Sequence, residues 1–173
     1  MANTYTLIAS STVGSGGAAT ITFTSIPSTY TDLLVKASLR NNRSAVAEDY
    51  GIFFNGDTTS GNYSAIELLG SGSTATSRSA YNYGLLTVSN NSTANTFGNL
   101  EVYIPNYAGS SAKSASVDAV TENNATEAYA GLTARLWTGT AAITSITIDK
   151  GDSGVTNNFL QYSTAYLYGI SNS

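Results

Sequence analysis

Cysteine and histidine are both absent from this sequence of 173 residues, and tryptophan and methionine occur once each. Without thiols there is no disulfide framework, no thiolate metal ligation and no thiol catalysis. Without imidazole, the commonest zinc sites and histidine acid–base chemistry fall away. Nowhere do eighteen apolar residues run together, and the start MANTYTLIASS has no basic segment ahead of a long apolar run, so the chain reads as soluble and without a secretion leader. Charge is scarce as well: 10% of residues are ionic, seven basic against eleven acidic, for a net charge of −4. Phosphate binding draws on clustered cations, and here they are scattered, with Arg40 and Arg43 the nearest approach to a patch. Nucleic acid and membrane are therefore not expected partners.

What is abundant is Ser, Thr, Asn, Gly and Tyr, a composition of pleated half-buried surfaces joined by tight turns. The clearest punctuation lies in 25–40, SIPSTYTDLLVKASLR. Pro27 fixes φ and lacks an N–H, ending the strand that carries Ile21 and Phe23. From Asp32 a new strand places Leu33, Val35, Ala37 and Leu39 on a core face, with Leu34, Lys36, Ser38 and Arg40 on a mostly wet one. Further strands are expected over 4–10, 20–25, 50–54, 63–69, 80–89, 97–104, 114–121, 128–138, 143–149 and 159–170. Residues 41–49 read as a loop or one helical turn, GSGSTATSRS as a flexible loop, and Asn55-Gly56-Asp57 as a turn. Ten to twelve short strands with no persuasive helical period predict one all-β domain over 1–173, a sandwich or barrel whose first and last strands lie in the sheets. The expected core holds Phe23, Leu33, Val35, Leu39, Leu100, Val102, Ile104, Ile146, Ile148 and Leu167.

Reactive constellations are thin. Gly151-Asp152-Ser153-Gly154 spells the motif around the nucleophilic serine of chymotrypsin-like proteases, but that serine needs an imidazole to take its proton. A carboxylate pair is the remaining acid–base option; Glu101 could face Asp118 or Glu67 across a sheet, yet no strand carries alternating acidic residues. Asp149 with Asp152, or Glu48 with Asp49, could supply oxygens to Ca²⁺, but the full calcium-loop pattern is missing. Asn-x-Ser/Thr matches such as Asn62-Tyr63-Ser64 and Asn124-Ala125-Thr126 follow from composition. The expectation is a protein that is not an enzyme and holds neither metal nor cofactor. Twelve tyrosines, Tyr81 and Tyr107 among them, suit interface anchoring as well as packing, and Trp137 could stack on a sugar or sit in the core.

Several stretches carry a resemblance: F-x-S-I-P over Phe23 to Pro27, Y-T-D-L over Tyr30 to Leu33, F-N-G-D over Phe54 to Asp57 with N-Y-S at Asn62 to Ser64, and L-Y-G-I over Leu167 to Ile170. Together they resemble small virion structural proteins of tailed bacteriophages, particularly those of cyanobacteria. The resemblance implies a jelly-roll-like antiparallel sandwich on the particle, as a capsid decoration (cement) protein or a tail-fibre component, and carries over no catalytic residue. The chain shows no shaft repeat, which favours decoration: binding to the major capsid protein or other virion proteins, in repeated copies or as a homo-oligomer. The alternative is a tail-fibre or receptor-binding module for host surface glycan. Candidate contact residues are the amino-terminal Met1, Ala2, Asn3, Thr4 and Tyr5, with Arg40, Arg43, Tyr81, Tyr107 and Trp137.

Overall fold

The computed structural model describes residues 4–79, 81, 84–124, 127–150 and 157–171. Twelve strands form: β1 (Tyr5–Thr12), β2 (Ile21–Phe23), β3 (Asp32–Leu39), β4 (Ala47–Phe54), β5 (Tyr63–Gly70), β6 (Ala75–Ser79), β7 (Leu85–Val88), β8 (Gly98–Pro105), β9 (Lys113–Val120), β10 (Ala130–Trp137), β11 (Ile146–Asp149) and β12 (Thr164–Ile170). A single 3₁₀ turn, Ser60–Asn62, precedes β5. One sheet has eight strands in the order β1-β12-β3-β8-β9-β10-β5-β6, and the other four in the order β2-β11-β4-β7.

The pairings reveal how the chain is wound. Antiparallel pairs β1 with β12 and β3 with β8 fall in the large sheet, while β2 with β11 and β4 with β7 fall in the small one. That is a long antiparallel ribbon rolled so that successive pairs alternate between the two sheets of a β-sandwich, a jelly-roll-like winding. Two hairpins, β5–β6 and β9–β10, are added to the large sheet beyond β8, where β9 joins β8 and β10 joins β5.

Between the sheets every residue expected in the core is buried, with Leu33, Val35, Leu39, Val102, Ile104, Ile146, Ile148 and Leu167 fully enclosed. Each large apolar side chain so placed contributes about 1.5–3 kcal/mol. The motifs of the resemblance also find their places here. Gly169 of L-Y-G-I lies under the Tyr30 ring of Y-T-D-L, and a Cβ on it would come within 2.3 Å of that ring. In F-N-G-D, Asn55 (φ 54°) and Gly56 (φ 71°) make a tight turn closed by Asp57 N–H donating to Phe54 O at 3.0 Å. Both central residues lie in the left-handed region, which explains the Asn-Gly pair.

Three expectations are corrected. Residues 75–79 form edge strand β6 and not part of a flexible loop, and β7 is confined to Leu85–Val88. β4 begins at Ala47, inside the expected 41–49 loop. On the expected wet face of β3, Leu34 is 5% exposed and Arg40, just beyond the strand, 6%. Leu34 lies between Tyr168 and Tyr103 in register, and loop 90–96 folds over Arg40.

Candidate interaction surface

β10 and β5 are amphipathic in the opposite sense from the rest of the fold. Along β10, Gly131, Thr133, Arg135 and Trp137 point inward while Leu132, Ala134 and Leu136 face solvent. Along β5, Tyr63, Ala65 and Glu67 point inward while Ile66 and Leu68 face out. Aromatic and ionic groups fix this parity. The Arg135 guanidinium donates to Ile52 O at 2.9 Å and lies 5.0 Å from the Tyr63 ring centre and 5.6 Å from that of Phe53. Burial lowers its pKa to about 10. Trp137 Nε1–H donates to Asp57 at 2.8 Å, and its ring stacks on Tyr63. Glu67, 1% exposed, accepts from Arg78 at 2.5 Å, and the same guanidinium reaches Asp49 of the small sheet at 2.8 Å.

The outer face of the large sheet therefore collects apolar side chains. Ten large hydrophobic residues are exposed among the described residues, and nine of them lie on this face: Tyr5, Leu7, Ile66, Leu68, Tyr103, Val120, Leu132, Leu136 and Tyr166. Register aligns them. One row across seven strands runs Leu7, Tyr168, Leu34, Tyr103, Ser116, Ala134, Ile66. The next holds Tyr166, Lys36, Glu101, Asp118, Leu132 and Leu68. The result is an aliphatic patch on β10 and β5, a tyrosine-bearing patch on β1, β12 and β8, and a narrow polar strip between them.

Charges on that strip are largely neutralised in place. Lys36 pairs with Glu101 at 2.8 Å, a hydrogen bond that raises the lysine pKa. Glu101 stands directly opposite Asp118, one of the two pairings expected, and the lysine offsets a like-charge juxtaposition that is otherwise unfavourable. Tyr103 Oη–H donates to Asp32 at 2.8 Å, which raises the phenol pKa. The surface offers shallow hollows, such as that between Lys36, Glu101, Tyr166 and Tyr168. Such relief suits a macromolecular partner, since small ligands favour enclosed clefts.

Of the expected contact residues, Thr4 and Tyr5 are exposed, Tyr5 on this face, while Met1, Ala2 and Asn3 lie outside the described residues. Arg43 is exposed and pairs with Glu48, and Tyr81 packs partly buried against the core. Arg40, Tyr107 and Trp137 are buried and belong to the fold's interior, so they drop out as contacts. Tyr107 Oη–H donates to Pro27 O, and Arg40 is consumed by loop carbonyls. The serine motif 151–154 and Asp152 lie outside the described residues, as do Ala125 and Thr126. Glu48 and Asp49 are countered by Arg43, Lys150 and Arg78. Among the described residues no three acidic side chains converge to hold a metal, and no helix is long and apolar enough to cross a membrane.

The residues that reading by alternation missed are Ile66, Leu68, Leu132 and Leu136. A signal existed: Trp137 shares its parity with Arg135, and Tyr63 with Glu67, so whichever face takes the aromatic takes the charge too. Comparison of the chain with family models, with curated proteins and with solved structures gives no match.

Proposed function

We propose that this chain is a structural protein of a bacteriophage particle that attaches to the outside of the preformed capsid and strengthens it by surface complementarity, without catalysis. The observation that carries the reading is the reversal on β10 and β5, which holds Arg135 and Glu67 inside and sets Leu132, Leu136, Ile66 and Leu68 on an open sheet face. Exposed apolar area of this extent is unfavourable in water unless a partner covers it. Eight strands about 4.8 Å apart and roughly 25 Å long present about 900 Å², close to the ~800 Å² that each partner contributes to a specific interface. The particle context rests on the resemblance of F-x-S-I-P, Y-T-D-L, F-N-G-D and L-Y-G-I to small phage virion proteins, with the major capsid protein as the expected partner. Repeated copies on a shell would add avidity to a modest single contact.

The test is binding of purified chain to empty capsids. Leu132→Lys with Ile66→Glu is expected to weaken binding at least tenfold, about 1.4 kcal/mol, at unchanged thermal midpoint because both side chains already face water and the new lysine stands opposite Asp118. Undiminished capsid binding by that variant would remove this face from the contact. Labelling of whole particles decides the location: signal at the tail tip and none on the shell would replace decoration by the receptor-binding alternative.

A further inference from the structure

We propose that a cleft at one end of the sandwich is a binding site for a neutral glycan, separate from the sheet face and independent of the capsid reading. Its lining comes from four segments, 15–17, 40–42, 90–97 and 158–162, and backbone bonds in and beside them tie them together. Ala18 and Phe159 exchange two hydrogen bonds of 3.1 and 2.7 Å, and Tyr162 N–H donates to Val13 O at 3.0 Å. Asn42 N–H donates to Asn158 O at 3.0 Å, and Asn158 N–H returns to Asn42 Oδ1 at 2.8 Å. Phe159, fully buried, anchors the assembly with its ring 4.5 Å from that of Tyr50. The cleft is thus formed before any ligand arrives. It is an open groove of about 740 Å³, a form that suits an extended chain of sugars.

Its chemistry is uncharged and amide-rich. The side chains of Asn90, Asn95, Asn158 and Gln161 line it, and among the described residues none of these amides bonds to another protein group. An amide offers a donor and an acceptor side by side, which matches two adjacent hydroxyls on a pyranose. The cation at the cleft is Arg40, and it is not on offer: Nη1 donates to Thr93 O at 2.8 Å and Thr96 O at 2.9 Å, and Nη2 to Ser92 O at 3.2 Å. Among the described residues of the cleft a carboxylate, sulfate or phosphate would find no free positive partner, which favours neutral sugars.

Tyr162 supplies the second, independent observation. It is the tenth large exposed hydrophobic, 69% exposed, and the one that is not on the sheet face. Its φ is 73°, in the turn that Ser163 N–H closes onto Leu160 O at 3.1 Å. That third turn position suits Gly or Asn, and a bulky side chain there is strained. Strain held at an exposed aromatic points to a use for the ring, and a tyrosine face at the cleft mouth can stack on the C–H face of a sugar.

The experiment is affinity electrophoresis of the full chain through gels containing dextran, galactomannan or the acidic polymer polygalacturonate. Retardation is expected in at least one neutral polymer and not in polygalacturonate. Tyr162→Gly, compatible with positive φ, should lower the apparent affinity at least tenfold while the thermal midpoint holds or rises, and Asn158→Ala should lower it several-fold. No retardation in either neutral polymer, equal retardation of Tyr162→Gly, or stronger retention by polygalacturonate would each overturn the proposal.

Discussion

Asp57 ties three segments of the chain through one carboxylate, which accepts from Trp137 Nε1 at 2.8 Å, Asn62 Nδ2 at 2.8 Å and Thr59 N at 3.0 Å. Led by the tryptophan, these bonds hold its pKa at about 2. An unfolded aspartate titrates near 3.9, so the folded value is the lower one; the stabilisation is complete above about pH 4 and is lost as pH falls through about 2. Thermal midpoints recorded from pH 5 down to 2 should therefore fall more for the native chain than for Asp57→Asn. Gly169 makes a second residue-scale case. Gly169→Ala pushes a methyl into the Tyr30 ring and is expected to destabilise by about 1–3 kcal/mol in urea unfolding, without change in the m-value. Both residues were legible as turn or strand punctuation in F-N-G-D and L-Y-G-I, but their partners were not: Trp137 lies 80 residues from Asp57. Arg40 and Tyr107 escaped for the same reason, since the carbonyls that bury them come from distant loops.

Strands whose alternation had a single meaning were readable from the sequence: β3 and β8 stand within a residue of where it put them, whereas β12 starts at Thr164 and not at 159, because 159–163 form an isolated bridge and a turn. Where both parities carry something apolar, alternation is silent. In β10 the leucines argue for one face and Trp137 for the other, and the aromatic cluster with Phe54 and Tyr63 prevails. β6 had no readable pattern because ATSRS is polar on both faces; ladder bonds to β5 and the Arg78 bridge hold it. Arg78→Met removes that bridge and strands the enclosed Glu67 carboxylate, for an expected loss of about 3 kcal/mol. Hydrogen exchange should localise the effect, with β6 amides losing protection before those of β3 and β12.

At the scale of the molecule, the sandwich class and its core followed from short strands, turn clusters and buried parity. The unequal sheets did not, because hairpins that extend one sheet carry the same local signals as strands that face each other. Contacts between strands remote in sequence dominate, and such topologies fold in milliseconds to seconds. The pairing of β1 with β12, and of β12 with β3, adds an order of events. As the ribosome extrudes this chain, β1 has no neighbour and one edge of β3 stays unpaired until residues 164–170 have left the tunnel. A chain stalled before that point should be cut rapidly by protease within 5–12, whereas the released chain should resist; equal resistance of the two would mean that β1 finds shelter without β12. Folding of this protein thus becomes an event timed to the emergence of β12, and until then two open sheet edges have to be kept from sticking to their neighbours on the polysome.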